Sequence, residues 1–351
     1  MKLLKKLIVF TTILCFSTIL FLGILKKNIY AFENNETLVN VGVSLIDFND
    51  PYMSLVKKCL ENIENANKDK VKFTFFDGKN NQAIQNETIN TLLNDKSYNL
   101  LLINLVDAKE SLMENIINRV KQTNRPVIFF NVLPPFISSS IRNYNKSVII
   151  GTDSKQSGIL EGNILIDIWN NDKKAIDKNN NNVMEYIMLR GKEDTESINR
   201  TKYSVSTVND AGIRTKEIAS VICDWDEELA KNNVDALFSR YGNNIEAIIS
   251  NNDSMAIGAI KALQKYGYNT GNNSKNIVVV GVDGIPEAKD LVDKGIMSGT
   301  VIQDPTELAT ALYTVGINLV HDLPALKGTN YKFNGLGNVI ELPYYEYIKQ
   351  K

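Results

Sequence analysis

Apolar positions along the chain follow two spacings that alternate from residue 39 onward. Stretch 39–45 has an apolar residue at every second position, as in a β-strand, and stretch 53–63 has one at every third or fourth position, as in an α-helix. The alternation continues with strand 71–76, helix 84–93, strand 100–105, helix 108–123 and strand 126–131. Because strand 100–105 is apolar at every position except Asn104, the pattern predicts a parallel sheet with helices on both faces.

The pattern then restarts and predicts a second set of elements. In order these are strand 148–150, helix 160–169, strand 184–189, a helix from about residue 200, strand 218–223, helix 227–238, strand 247–250, helix 254–266, strand 277–282, helix 286–294, strand 300–303, helix 305–321 and strand 339–343. Two such sets predict an α/β fold with two doubly wound parallel-sheet lobes. The predicted N-terminal lobe comprises residues 38–152 and 304–341, and the predicted C-terminal lobe comprises residues 153–303 and 342–351.

Residues 1–31 differ from the rest of the chain. Lysines near the start precede the apolar run 7–25, and Ile29 and Ala31 suit the −3 and −1 positions of a cleavage site, an order typical of an export signal. The run is also about long enough to span a bilayer and is followed by Lys26 and Lys27, so an uncleaved anchor is the alternative. Either interpretation places the folded part outside the cytoplasmic membrane.

The charge of the chain excludes one class of function. The whole sequence has 39 Lys and Arg against 40 Asp and Glu, and five of those lysines lie in residues 1–31, which hold no acid. The remainder is therefore acidic. A protein of this charge does not bind nucleic acid through bulk positive charge, and we predict no nucleic-acid partner.

Polar and aromatic residues follow the predicted strands, and in open α/β sheets ligands bind at those ends. The candidate ligand residues are Asp50, Tyr52, Asn131, Asp194, Glu196, Arg200, Trp225, Asn252, Asp283 and Gln303. Carboxylate, amide and guanidinium groups can meet sugar hydroxyls, which both donate and accept hydrogen bonds, and flat rings can cover the C–H faces of a pyranose. For any single Asp or Asn the alternative is a helix N-cap or turn role, which we expect for Asp107 and Asp253.

Sequence motifs of the common enzyme classes are absent. No GxGxxG or Walker A sequence follows a strand, no GxSxG occurs, and the single histidine, His321, cannot build a zinc site or a Ser-His-Asp triad alone. A carboxylate pair such as Asp50 and Asp283 is of the type used in glycoside hydrolysis, but nothing else points to that reaction. We predict a binding protein and no enzyme.

Residues 177–185 have the spacing of a calcium-binding loop. Relative positions 1, 3, 5 and 9 bear oxygen side chains and position 7 can offer its carbonyl oxygen, and these residues are Asp177, Asn179, Asn181, Glu185 and Val183. Position 12 is a methionine, so a bidentate carboxylate has to come from elsewhere. The alternative is a solvated loop rich in asparagine.

Several short stretches together carry a family resemblance. They are NDPYMS at 49–54, INLVD at 103–107, FFN at 129–131, GTDSK at 151–155, SNNDSMA at 250–256, GVDGIPEA at 281–288, SGTV at 298–301 and LPY at 342–344. Together they resemble the D-galactose/D-glucose-binding proteins of bacterial ABC transport and chemotaxis, over nearly all of residues 39–345. The resemblance implies a type I periplasmic-binding-protein fold, in which three hinge strands join two lobes that close on one hexose without catalysis.

The resemblance also implies roles for individual residues. Those that match the hydrogen-bonding residues of the family are Asp50, Asn131, Arg200, Asn252 and Asp283, while Trp225 matches its stacking residue, Tyr52 replaces a stacking Phe and Gln303 replaces an Asn. The largest departure lies at Asp194 and Glu196, where the family has a His and an Asp, so a different monosaccharide is the alternative ligand. The calcium loop of the family aligns with residues 177–185 and its remote bidentate Glu with Glu246, which implies a structural calcium ion.

These inferences lead to one predicted function. We predict an exported, monomeric binding protein for a hexose of the galactose/glucose class, whose closure on the sugar is read by an ABC permease in the membrane. A tethered sensor that feeds a sensor kinase or chemoreceptor is the alternative within the binding class. A sugar-responsive repressor would need an N-terminal helix-turn-helix, and the apolar run 7–25 occupies that place.

Overall fold

The computed structural model describes residues 38–349 except 108, 134–136 and 272–274. The predicted signal or anchor at residues 1–31 lies outside the described residues. Within the described part, none of the helices has the length and apolar character needed to cross a membrane.

The described strands form two six-stranded sheets. The strands are β1 (Val39–Leu45), β2 (Val71–Asp77), β3 (Leu100–Ile103), β4 (Val127–Phe130), β5 (Ser147–Thr152), β6 (Val183–Arg190), β7 (Arg214–Ile222), β8 (Ala247–Ser250), β9 (Val278–Asp283), β10 (Gly299–Gln303), β11 (Val339–Leu342) and β12 (Tyr344–Tyr347). The first sheet has the order β11-β5-β4-β3-β1-β2 and the second the order β12-β10-β9-β8-β6-β7.

Helices connect the parallel strands, as expected for βαβ units. They are α1 (Pro51–Ala66), α2 (Gln82–Asn94), α3 (Glu110–Gln122), α4 (Ser139–Arg142), α5 (Ser154–Ile176), α6 (Thr195–Asp210), α7 (Glu227–Tyr241), α8 (Asp253–Gln264), α9 (Pro286–Asp293) and α10 (Pro305–Val320). The predicted α/β fold with two parallel-dominated sheets is confirmed.

The central strands are buried on both faces, which explains their uninterrupted apolar sequence. In β3, Leu100 and Leu102 belong to one core cluster, whereas Leu101 and Ile103 belong to another on the opposite face of the sheet. Successive side chains of a strand point to opposite faces, so a strand covered on both sides needs apolar residues at every position.

The edge of the second sheet differs from the prediction. Strand β12 pairs antiparallel with β10, from Thr300 opposite Tyr347 to Gln303 opposite Tyr344. The apolar pattern predicts no strand there, because only Tyr344 of the four residues of β12 is buried and its middle residues, Tyr345 and Glu346, are exposed. Short edge strands with polar residues carry a weak hydrophobic pattern.

The chain passes between the two sheets three times. It leaves β5 of the first sheet for α5, leaves β10 of the second sheet for α10, and leaves β11 of the first sheet for β12 of the second. Helix α10 returns to the first lobe, where it packs against α1. The carboxyl ends of β5 and β10 therefore lie next to connections between the lobes.

Candidate functional site

All ten predicted ligand residues line one cavity of about 680 Å³. The first lobe contributes Asp50, Tyr52 and Asn131, and the second contributes the remaining seven, namely Asp194, Glu196, Arg200, Trp225, Asn252, Asp283 and Gln303. The volume lies within the ~300–1,000 Å³ of small-molecule sites. The cavity thus lies at the carboxyl ends of strands from both sheets, where the topology of open α/β sheets places ligands.

Three of these residues cap helices as well as line the cavity. One side-chain oxygen accepts a backbone N–H in each case: Asp50 from Met53 at 2.7 Å, Asp194 from Ser197 at 2.8 Å and Asn252 from Met255 at 3.0 Å. The cap role considered from the sequence is therefore real. It leaves the second carboxylate oxygen of Asp50 and of Asp194 for other contacts, so the two roles do not compete.

Backbone strain is concentrated at the cavity. Asn131, Trp225 and Asp283 have φ angles of +53°, +68° and +125°, in the region that residues other than glycine rarely adopt. Such conformations persist only where the surrounding structure enforces them, and they are common at functional sites. Sequence patterns do not reveal this strain, because only the folded backbone shows it.

Arg200 is the buried cation of the cavity, and its side chain is 3% exposed. Its Nη1 donates to the carbonyl oxygen of Asn251 at 2.6 Å, and its Nη2 contacts Glu196 at 2.6 Å and the hydroxyl of Tyr344 at 3.1 Å. Asp283 Oδ1 lies 3.6 Å from Nη1. The Nε–H is buried and has no partner among the described residues, so it is the donor that Arg200 can offer to a ligand.

Two aromatic rings flank the Arg200 guanidinium. Its carbon lies 5.7 Å from the ring centre of Trp225 and 5.9 Å from that of Tyr344, within the range of cation–π contacts. Trp225 also packs on Gly191: a Cβ built there would lie 2.2 Å from the indole ring. Glycine at residue 191 is therefore needed for the present position of the indole.

Burial raises the pKa of the carboxyl groups around the cavity. Burial is the main cause of the raised pKa values of Asp50 and of Asp283, and the Arg200 charge acts in the opposite direction on both. Burial, with the charge of Glu196, also raises the pKa of Asp194 to about 6. Asp253, expected to be structural, is fully buried behind the cavity and accepts a hydrogen bond from Thr300 at 2.6 Å.

Several residues that line the cavity are not among the ten predicted ligand residues. They include Thr152, Lys109, Lys192, Glu193 and Ile198. Lys192 and Glu193 follow β6, so a wider search after each strand would have found them. Acids outnumber cations in the lining, and Lys109 pairs with Asp107 at 2.5 Å, which leaves the cavity acidic.

Hydrogen bonds join the two lobes around the cavity. Gln303 Nε2 donates to Asn131 Oδ1 at 2.5 Å near the second connection, and Lys192 Nζ donates to Asn80 Oδ1 across the cavity mouth. Two more polar atoms of the lining, Tyr52 Oη and Gln303 Oε1, are buried without a partner among the described residues. Such atoms favour a polar ligand, because an unpaired buried polar group is costly.

The side chains of the predicted calcium loop lie in one region, but they form hydrogen bonds and an ion pair with other protein groups. Asp177 accepts the backbone N–H groups of Asn181 and Asn182 at 3.0 and 3.1 Å, and Glu246 accepts those of Lys178 and Glu185 at 2.8 and 2.9 Å. In the same region the Lys216 ammonium lies 2.6 Å from Glu185 Oε1. No group of three His, Cys, Asp or Glu residues in the described part of the chain is arranged to hold a metal ion.

The fit of this loop to calcium is therefore partial. Its oxygen-rich side chains suit a hard cation, and Asn180 and Asn182 adopt the left-handed turns, with φ of +58° and +60°, that such loops need. A bound cation would have to displace the Lys216 ammonium from Glu185. Calcium binding by Asp177, Asn179, Asn181, Val183, Glu185 and Glu246 stays a prediction.

Comparisons with known proteins agree with this geometry. Residues 41–322 match the periplasmic binding protein domain family. The D-galactose/methyl-galactoside binding periplasmic protein of Haemophilus influenzae is 34% identical over 308 residues, which cover 87% of this chain and 88% of that protein. The D-allose-binding periplasmic protein of Escherichia coli is 34% identical over 129 residues, 36% of this chain and 40% of that protein.

Solved structures show the same fold at low sequence identity. A solute-binding protein from Actinobacillus succinogenes with bound D-allose has a TM-score of 0.70 at 18% identity, covering 89% of this chain and 98% of its own. One from Bacillus halodurans with bound myo-inositol has a TM-score of 0.69 at 19% identity, covering 90% and 96%. These relatives are binding proteins, which confirms the prediction of no enzyme. The chain belongs to the periplasmic binding protein domain family.

Proposed function

We propose that this protein is the extracytoplasmic sugar-binding component of an ABC transport system, with a hexose of the galactose/glucose class as its ligand. The observation that carries the proposal is the meeting of ten polar and aromatic residues from two lobes in one cavity. The relatives named above bind galactosides, allose and inositol, all small polyhydroxylated molecules. The family assignment supports a site of action outside the cytoplasm.

The polar groups of the cavity suit a neutral polyol. Arg200 Nε offers a buried donor, Gln303 Oε1 offers a buried acceptor, and Tyr52 Oη can do both. The carboxylates of Asp50 and Asp283 add acceptors, and sugar hydroxyls can serve all of these groups at once. The indole of Trp225 supplies a flat apolar face for the C–H groups of the ring.

Closure of the two lobes on the sugar is the proposed mechanism. A ligand that contacts both lobes shifts an open–closed equilibrium towards the closed form, because only that form makes every contact. The hydrogen bonds of Gln303 with Asn131 and of Lys192 with Asn80 join the two lobes beside the cavity. An ABC permease in the membrane then recognises the closed form, and a membrane sensor protein is the alternative partner.

The identity of the sugar is the finer part of the proposal. Asp194 and Glu196 stand where the resembling family has a His and an Asp, and Glu196 is paired with Arg200 at 2.6 Å. A carboxylate at residue 194 accepts hydrogen bonds but does not donate them when ionised. Any sugar hydroxyl that reaches Asp194 can donate to it, and because epimers differ in where their hydroxyls lie, this residue can select among hexoses. A monosaccharide other than galactose or glucose is the alternative ligand.

The variant Asp283→Asn tests the site directly. Asparagine has nearly the same shape and tolerates positive φ, but it replaces one acceptor oxygen by an NH2 donor, so a sugar hydroxyl that donates there loses its partner. We expect sugar affinity, measured by calorimetric titration, to fall by about tenfold or more. The control is Asp290→Asn, whose exposed carboxylate pairs only with Lys294. Equal affinity in both variants and the unmodified protein would exclude Asp283 from the site.

We also propose that the loop at residues 177–185, together with Glu246, binds a structural calcium ion in the second lobe. The side chains of Asp177, Glu185 and Glu246 are buried close to one another beside the Lys216 ammonium, and carboxylate oxygens are the ligands that calcium prefers. The ion would stabilise the loop and take no part in sugar binding.

A further inference from the structure

The hydroxyl of Tyr344 lies where the cavity meets the connections between the lobes. Tyr344 is the first residue of β12 in the second sheet, directly after the third connection, and Thr152 is the last residue of β5 in the first sheet, at the first connection. Thr152 Oγ1 donates to the Tyr344 hydroxyl at 2.7 Å. This single bond therefore joins the two lobes beside two of the three connections.

The same hydroxyl also contacts the buried cation of the cavity. Arg200 Nη2 donates to it at 3.1 Å, and the guanidinium packs against the Tyr344 ring. The Tyr344 backbone N–H donates to Gln156 Oε1 at 3.2 Å, which ties the residue to the first turns of α5. Tyr344 is 3% exposed and does not line the cavity, so its contact with a ligand would be indirect.

We propose that Tyr344 is a positioning residue that couples ligand contact at Arg200 to closure of the lobes, an inference that rests on the proposed function. A sugar oxygen that accepts from Arg200 Nε fixes the guanidinium in one orientation. Nη2 then holds the Tyr344 hydroxyl where Thr152 can donate to it. Closure completes this chain of three residues, and the ligand favours closure because an ordered chain of hydrogen bonds is more stable than its separate parts.

The protonation state of the tyrosine suits this role. Burial raises the pKa of Tyr344 to about 12, although the Arg200 charge acts to lower it. The hydroxyl is therefore neutral at physiological pH, and its oxygen can accept from Thr152 and Arg200 together. The coupling needs only that hydroxyl, so removing one oxygen atom tests it.

The experiment compares Tyr344→Phe with the unmodified full chain, using D-galactose as the probe. Affinity is measured by calorimetry, and closure is measured as the decrease in radius of gyration by small-angle scattering when the sugar is added. We expect about tenfold weaker binding, the effect of one hydrogen bond to a charged group, and a smaller decrease in radius. The control is Tyr347→Phe in the same strand, whose hydroxyl bonds the exposed Asp293 at 3.0 Å and should leave both quantities unchanged.

Thr152 supplies an independent check of the same link. Thr152→Val removes the donor and should weaken closure as Tyr344→Phe does, whereas Thr152→Ser keeps the hydroxyl and should retain closure. Tyr344→Phe already removes the bond that Thr152→Val breaks, so the affinity of the double variant should be within about twofold of that of Tyr344→Phe alone.

Three results would decide against the inference. If the unmodified protein contracts with sugar, and the Tyr344→Phe variant contracts and binds equally well, the coupling is overturned but the proposed function is not. If Tyr344→Phe leaves the dissociation constant unchanged and lowers the melting temperature equally with and without sugar, the role of the tyrosine is purely structural. An unmodified protein that neither binds nor contracts with D-galactose or any other hexose overturns the proposed function, and the coupling with it.

Discussion

Replacing Gly191 by alanine should displace the indole that we assign to the sugar face. The added Cβ would lie 2.2 Å from one ring carbon of Trp225 and 2.3 Å from two others. Carbon atoms in contact are separated by about 3.5 Å, so the ring or the backbone has to move by roughly 1.3 Å. Gly191 is buried and its N–H donates to Asn251 Oδ1 at 3.1 Å, so the backbone is held and the ring is the part that moves.

The magnitude follows from the cost of overpacking. One added methyl group in a packed region costs about 1–3 kcal/mol. Here the cost falls mainly on the sugar-bound state, because the displaced ring no longer lies flat against the ligand. Sugar affinity should therefore fall by roughly fivefold to a hundredfold. Calorimetric titration measures this loss, and the change in Trp225 fluorescence on sugar addition should become smaller.

A matched control separates this effect from the general effect of adding a methyl group. At Gly335 a new Cβ would meet no atom within 4 Å, so Gly335→Ala should bind sugar like the unmodified protein. If Gly191→Ala keeps full affinity and an unchanged fluorescence response, Trp225 does not form a wall of the sugar site and the argument is refuted.

Two further predictions concern pH and calcium. The pKa of Asp194 is about 6 in the folded protein against 3.8 for an ordinary aspartate, so its ionised form opposes folding, and the free energy of unfolding should rise as pH falls from about 7 through 6 towards 4. Asp194→Asn keeps the helix cap and should remove this pH-dependent contribution. Urea unfolding at pH 7.5 and pH 5 measures it, and an equal change in the free energy of unfolding in the variant and the unmodified protein would contradict the prediction. Chelation of calcium should lower the melting temperature while sugar affinity stays unchanged, and Glu246→Gln should abolish that sensitivity; a melting temperature indifferent to chelator would exclude the calcium site.

Most of the fold can be predicted from the sequence, because buried positions are apolar and recur at the spacing of a strand or a helix. Strands such as β3 and β4, buried on both faces, are apolar at every position, and the prediction of their existence is confirmed. The start of α6 was misplaced to about residue 200, because its first turn, from Thr195, is polar and faces the cavity. Strand β12 was missed because half of it is exposed.

The residues of the candidate site can be predicted from the sequence, but the contacts between their side chains cannot. The rule that ligands bind at strand ends collected residues from two lobes, and the structure brings all ten together. The pairing of Arg200 with Glu196 is an i,i+4 contact on one helix, which their spacing allows, but the sequence does not reveal the bond between Thr152 and Tyr344, which are 192 positions apart. Long-range side-chain contacts of this kind depend on the packed structure and leave no local pattern.

Calorimetric titration of the purified protein with a panel of monosaccharides decides whether the cavity binds a sugar. We expect saturable binding of one neutral hexose, with one site per chain, and no binding of uronic acids, because the cavity is lined by more acids than cations. Absence of heat and of thermal stabilisation with every sugar of the panel would contradict it.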